Sequence, residues 1–262
     1  FWETFGAFIK EGVSTDFGGR DDLLPLLRFY TSKSEDTLVS LGDYVARMGE
    51  EQKDIYYILG DTLSAVTGSP HLDYFRANDV EVLYLVDPLD PFMVQSLREF
   101  EGKQLKNADA PDLDLPETRK TEAEETAASD MTPEIFGKLI VRFQNVLGER
   151  VKEVRESKVL KDSPCRLIAA ESGPEHEMAR VRRLLEQDYE VPPQILEINR
   201  LHPLIQNLAY LTGQPANDTL VDLTIEQLFE NLLLLEGLHP NPAQMVPRLQ
   251  RLLERATASA KE

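Results

Sequence analysis

The side chains in this sequence that could do covalent or metal chemistry are few and scattered. His71, His176, His202 and His239 lie far apart, with no Cys or His at the spacing that places zinc ligands around one ion. The single Cys165 follows Ser163-Pro164 at a predicted strand start, where a small buried thiol fits better than a nucleophile. No G-x-x-x-x-G-K-S/T phosphate loop, G-x-G-x-x-G, G-x-S-x-G or H-E-x-x-H occurs. What remains is contact chemistry, carried by large apolar side chains at helical spacing. Ile225, Leu228, Phe229, Leu232, Leu233 and Leu235 cover more than one face of a helix, and Met245, Val246, Leu249, Leu252 and Leu253 add a second stripe. That is more apolar surface than one small domain covers, and its self-complementary solution is a two-fold four-helix bundle.

The elements that must position these residues can be read from caps and periodicity. Ser40 is an N-cap with Asp43 at the third helical position, and Leu41, Tyr44, Val45 and Met48 fall on one face. A strand is predicted at 54–59 and another at 80–86, with helical segments over 62–77 broken at Ser69-Pro70 and a helix over 91–100. Two near-continuous apolar strands around a helical crossover predict a parallel β-α-β unit. Residues 1–37 read as helical coil. Thr132 caps a helix that opens on Pro133 and closes at Gly148. Strands follow at 151–156, 165–170 and 194–198, with a helix over 174–187. Thr224 with Gln227 gives a capping-box pattern for a helix through Glu236, and Asn241-Pro242 signals another ending near Ala256. Pro247 inside that last helix predicts either a kink or a later start. The fold class is therefore mixed α/β: a small α-β-α sandwich, then a mixed α/β domain ending in an α-hairpin.

Composition narrows the function. A formal charge of −18 over 262 residues argues against a nucleic-acid binder, whose affinity rests on Lys and Arg displacing counterions. One cysteine suits a reducing compartment, and no apolar run approaches a membrane span, so a cytoplasmic protein is expected. Residues 108–130 carry eight acidic residues against Arg119 and Lys120 and no aromatic, which predicts a solvated linker between domains at 1–107 and 131–262. The opening at Phe1-Trp2, already inside an apolar periodic run, reads as an excised piece of a longer chain.

Ser40-Leu41, Tyr44-Val45, Arg47-Met48, Glu50, Gln52-Lys53 and Ile55 to Ile58 stand in the order and spacing of the heat-shock protein 90 middle domain, which this region closely resembles. The resemblance continues through Lys10-Glu11-Gly12, Leu27-Arg28-Phe29, Ser69-Pro70, Glu81 to Tyr84, Asp87-Pro88-x-Asp90 and Glu99-Phe100-x-Gly102-Lys103. It extends, more loosely, past Asp130 into the family's C-terminal dimerisation domain.

The resemblance implies a bacterial-type ATP-dependent chaperone part that homodimerises and binds unfolded clients. ATP and magnesium would be handled upstream of Phe1, leaving no cofactor and no catalytic residue in this sequence. It also implies client contact at Phe92, where bacterial relatives place an exposed tryptophan, with Met93 and Gln95 beside it. The alternative is that Phe92 anchors its own helix in the core. The helix around Met178 resembles the family's amphipathic client helix, with Met178, Val181 and Leu185 on its apolar stripe, although Arg182 stands where relatives often carry an apolar residue. That stripe could equally be buried on its own domain. The rival function is a self-association scaffold with client binding located upstream.

Overall fold

A computed structural model describes residues 1–16, 18–110, 113, 131–170, 178–185 and 189–259. The chain forms two compact units, one of residues 1–114 with 171–187 and one of residues 115–170 with 188–262.

In the first unit, helix α1 (Trp2–Thr15) and the short α2 (Arg20–Leu23) precede a six-stranded mixed sheet. Its strands are β1 (Phe29–Thr31), β2 (Ser34–Val39), β3 (Ile55–Leu59), β4 (Val82–Leu85), β5 (Glu99–Phe100) and β6 (Lys103–Asn107), in the order β2-β1-β4-β3-β6-β5. Strand β3 runs parallel to β4, with Tyr56 opposite Val82 and Leu59 opposite Leu85, and parallel to β6 on its other side. The parallel β-α-β unit expected from the two apolar strands is present, and both strands are almost wholly buried. Helix α3 (Leu41–Arg47) starts on a full capping box: the Asp43 amide donates to the Ser40 hydroxyl and the Asp43 carboxylate accepts from the Ser40 amide.

Tyr44 on α3 is fully buried, and its hydroxyl is satisfied three times. It donates to the Glu81 carbonyl at 2.6 Å and accepts from the Tyr56 amide and the Gln52 side chain, each at 3.1 Å. Burial pushes this phenol up to about 12. The buried Glu81 carboxylate in turn accepts from the Thr31 hydroxyl at 2.6 Å and from Arg47 at 2.7 and 3.1 Å.

Two expectations for this unit are corrected. Residues 29–39 are a β-hairpin, not helical coil; its two-residue turn, Ser32-Lys33, carries no Gly or Asn to announce it. The helix expected over 91–100 ends at Ser96, because Phe100 enters a second hairpin. That hairpin turns at Glu101 and Gly102 with φ of 49° and 75°, a conformation Gly accepts freely and Glu does not advertise.

In the second unit, helix α7 (Pro133–Leu147) is capped by the Thr132 hydroxyl and ends at Gly148, whose φ is 56°. Before it along the chain, in the first unit, come α4 (Leu63–Thr67), α5 (Asp73–Ala77) and α6 (Asp90–Ser96). A three-stranded sheet follows α7 in the order β7 (Val151–Glu156), β9 (Gln194–Ile198), β8 (Cys165–Ala169), close to the expected strands. Helix α9 (Pro203–Leu211), which the sequence reading did not identify, is capped by His202, whose Nδ1 accepts the Leu204 amide at 3.1 Å. Helix α10 (Asp218–Leu235) begins one and a half turns before the expected cap at Thr224. That hydroxyl instead donates to the Leu220 carbonyl inside the helix, so the Thr224–Gln227 capping box does not exist. Helix α11 (Val246–Ser259) starts after a 3-10 turn at Pro242–Met245, so Pro247 sits in its first turn and costs no backbone bond.

Replacing Tyr44 by Phe should test the buried hydroxyl directly. The change leaves the Glu81 carbonyl, the Tyr56 amide and the Gln52 side chain short of a partner, at an expected cost of about 2 to 4 kcal/mol in urea unfolding. A loss under about 0.5 kcal/mol would show that these groups re-pair elsewhere.

Candidate functional site

Strand β4 ends at Leu85 and leads into a turn built by two carboxylates. The Leu89 amide donates to Asp87 and the Asp87 amide to Asp90, each at 2.9 Å, which sets the start of α6. Asp90 is buried, and the Lys10 ammonium of α1 lies 2.6 Å from its Oδ1 and 3.7 Å from Asp87. The same ammonium sits 5.9 Å from the Trp2 ring centroid and 5.6 Å from that of Phe29, so its remaining faces meet aromatic rings. At the other end of α6, the Ser96 hydroxyl donates to the Ser14 carbonyl and the Ser96 carbonyl accepts from Arg20. Helix α6 is therefore held at both ends.

On this fixed helix the three sequence candidates part company. Phe92 is 41 % exposed and Gln95 is half-buried. Met93 is 0 % exposed and belongs to the core with Tyr57, Leu59 and Leu85, so it offers no surface and its assignment to client contact is corrected.

Helix α8 (Ala179–Leu185) belongs to the first unit, where Arg183 donates to Asp61 at 3.0 Å. Asp61 follows the end of β3, and Gly60 beside it donates to the carbonyl of Leu85 at the end of β4. Because β3 and β4 are parallel, α8 docks at the same end of the sheet from which the chain leads into α6. Met178 and Val181 are half-buried, whereas Leu185 is 78 % exposed and Arg182 is exposed. The remainder of the expected helix over 174–187, and His176, lie outside the described residues.

The terminal hairpin turns at Gly237, with φ of 67°. Ile225, Leu228, Phe229, Leu232, Leu233 and Met245 are all buried within this chain. Their assignment to a dimer surface is corrected, since a run of leucines on a long helix first serves the chain's own core. Leu235 and Leu252 are half-buried. Leu249 and Leu253 are exposed, at 45 and 56 %, together with Val246 and with Leu234, which the sequence reading had not assigned to the surface.

An ionic ladder runs along α10, which apolar periodicity does not predict. Asp218, Asp222, Glu226 and Glu230 recur every fourth residue and so share one face. Arg142 pairs with Asp222 at 2.7 and 2.9 Å, Arg150 with Glu226 at 2.6 and 2.8 Å, and Arg248 with Glu230 at 2.8 and 3.0 Å. Burial acts to raise the Glu230 carboxyl, but the hydrogen bonds and charge of Arg248, with His239, outweigh it and hold the group below its ordinary range. The period of four was the available signal.

Among the described residues no group of three or more His, Cys, Asp and Glu could hold a metal ion, and no helix is long and apolar enough to cross a membrane. Cys165 is buried, and burial pushes its thiol up to about 12.

The described residues form a mixed α/β chain whose helices present large apolar side chains at the surface. The chain belongs to the Hsp90 family, whose model, described as Hsp90 protein, matches residues 1–262. Bacterial chaperones are among its curated relatives. The chaperone protein HtpG of Desulfitobacterium hafniense is 43 % identical over 258 residues, covering 98 % of this chain and 41 % of that protein. Those of Chlorobium phaeovibrioides and Geobacter sulfurreducens are 38 and 39 % identical, covering 99 and 90 % of this chain and 41 and 36 % of theirs. The chain spans about two fifths of the length of these relatives.

The Asp90 carboxyl should titrate well above an ordinary aspartate. Burial is the main cause, opposed by Lys10, and brings it from 3.8 to about 6. Since the folded value exceeds the unfolded one, the stability linked to this proton is fully present below about pH 4 and is lost as pH rises through about 6. Carbon-detected NMR titration of the side-chain carboxyl measures it, and a midpoint near 4 would contradict the buried setting.

Proposed function

We propose that this chain is the part of an Hsp90-type, ATP-dependent chaperone that joins two protomers and offers apolar surface to partly folded clients in the cytoplasm. Residues 1–107 act as the later part of the middle domain, 108–130 as an acidic linker and 131–262 as the dimerisation domain. ATP and magnesium belong, on this reading, to parts of such a chaperone outside these residues. The observation that carries it is the exposure of large apolar side chains on clamped helices: Phe92 on α6, Leu185 on α8, and Val246, Leu249 and Leu253 on α11.

The two kinds of surface suit two tasks. An isolated aromatic gives sequence-tolerant contact area to an unfolded chain, and the half-buried Met178 and Val181 beside Leu185 widen it. Val246, Leu249 and Leu253 fall at i, i+3 and i+7, the spacing of a helix that packs along its length against another. The partner that fits a self-complementary stripe is a second copy of this chain, giving a four-helix bundle from two hairpins.

Light scattering across micromolar concentrations should give a mass near twice 29.7 kDa, falling to 29.7 kDa on Leu249→Asp with Leu253→Asp. A monomer at every concentration would withdraw the dimer. Suppression of aggregation of a heat-unfolded model client tests the other surface: Phe92→Ser with Leu185→Ser should weaken holding roughly fivefold, the effect of about 1 kcal/mol of lost apolar contact. A dimer whose holding is unchanged by these substitutions would favour the scaffold reading, with client binding elsewhere.

A further inference from the structure

Among its described residues, helix α11 meets the rest of its unit through a narrow face. Among its described side chains only Arg248 and Leu252 are not exposed, and these two lie one turn apart on the same face. At 3.6 residues per turn, Val246, Leu249 and Leu253 sit roughly 80 to 140° round the helix from that face. The direction in which they look is therefore set by how α11 is rolled about its own axis. Leu252 is half-buried, and burial of an aliphatic side chain resists separation but has no preferred roll.

Arg248 supplies the direction. Its guanidinium forks onto both oxygens of Glu230 on α10, at 2.8 and 3.0 Å, with both side chains only 17 and 16 % exposed. A planar fork meeting a planar carboxylate fixes angle as well as distance, which a lysine ammonium does not. The acceptor is itself held. His239, buried in the connection between the helices, accepts the Asn241 amide on Nδ1 at 3.1 Å, and its Nε2 faces Glu230 at 3.5 Å. Glu230 thus meets both the turn and α11.

We propose that Glu230 and Arg248 are positioning residues for self-association, fixing the roll of α11 so that Leu249 and Leu253 face a second copy. The inference rests on the dimer reading above. Buried ion pairs contribute little net stability and can be replaced by apolar residues without loss, so the pair's contribution here is geometric.

The test compares dimer dissociation constants from sedimentation equilibrium with urea unfolding and helix content of each variant. Glu230→Met with Arg248→Met removes both charges and keeps apolar volume; it should unfold no earlier than wild type yet dimerise about tenfold more weakly, since orientation is lost and apolar contact is kept. Arg248→Lys, which keeps the charge and loses the fork, should weaken the dimer by a similar factor. The exchange Glu230→Arg with Arg248→Glu should recover most of the affinity. Should the double methionine variant fail to fold, Arg248→Lys alone decides. Wild-type dimer affinity in these variants would overturn the positioning role while leaving the dimer reading intact. A wild-type chain that is monomeric, or a Leu249→Asp, Leu253→Asp variant that still dimerises, would overturn the dimer reading and the positioning role with it.

Discussion

The hydroxyl of Tyr44 is the point on which the first unit depends. A fully buried phenol has no water to turn to, so every polar atom it meets must be provided by the fold. Those atoms come from three places: the carbonyl before β4, the amide of Tyr56 in β3, and Gln52 in the connection between α3 and β3. Satisfying one buried oxygen therefore fixes the helix against both central strands. Glu81 then passes the constraint on, because its carboxylate binds Thr31 of the neighbouring strand and Arg47 of the helix. With β4 fixed at its start, its far end delivers the Asp87–Asp90 turn to Lys10, and α6 has one available placement. The exposure of Phe92 is the last consequence of that sequence of contacts.

How much of this was legible depended on whether the deciding interaction was local. Ser40 with Asp43, and Thr132 with Pro133, announce helix starts because the cap and its amides lie within four residues, and both were found where expected. The apolar strands at 55–59 and 82–85 were legible for a related reason: burial on both faces leaves an unbroken run. The hairpins at 29–39 and 99–107 were not, since Ser32-Lys33 lacks the residues that usually mark such turns and Glu101-Gly102 has only the glycine, so the pairing is settled by the sheet they join. Met93 illustrates the limit for a site. Its neighbour Phe92 is exposed and it is not, and it is contacts from α1 and α2, remote in sequence and made at both ends of α6, that decide how the helix is turned.

The terminal helices show the same limit from another side. Leu232 to Leu235 is a continuous apolar run, and periodicity cannot say which of four adjacent leucines faces inward. Two are buried, one is half-buried and Leu234 is exposed. Charge spacing carried the missing information. The carboxylates at Asp218, Asp222, Glu226 and Glu230 mark the face that meets Arg142, Arg150 and Arg248, and that face locates the others. Three of the chain's 28 cations are committed to one helix, in a protein with 46 acidic residues. Pairing them there spends scarce positive charge on geometry, which agrees with a helix whose orientation matters more than its stability.

The surrounding charge also sharpens the contrast between the exposed apolar groups. A net −18 repels other copies of this chain at long range, so association must be won at contact distance. For a folded partner of the same charge, that favours a rigid, continuous stripe whose side chains meet their counterparts together; Val246 to Leu253 spans about 10 Å of helix, at 1.5 Å per residue. For an unfolded partner no such registry exists, and separate apolar points such as Phe92 and Leu185 are better suited, since each can be met by whatever apolar segment arrives. The two surfaces therefore place different demands on their supports. On the proposed reading Phe92 and Leu185 need only be kept from sinking into the core, which the Lys10–Asp90 clamp and the Arg183–Asp61 contact do for their helices. The stripe needs a defined roll, and a bidentate pair is the simplest device that supplies one.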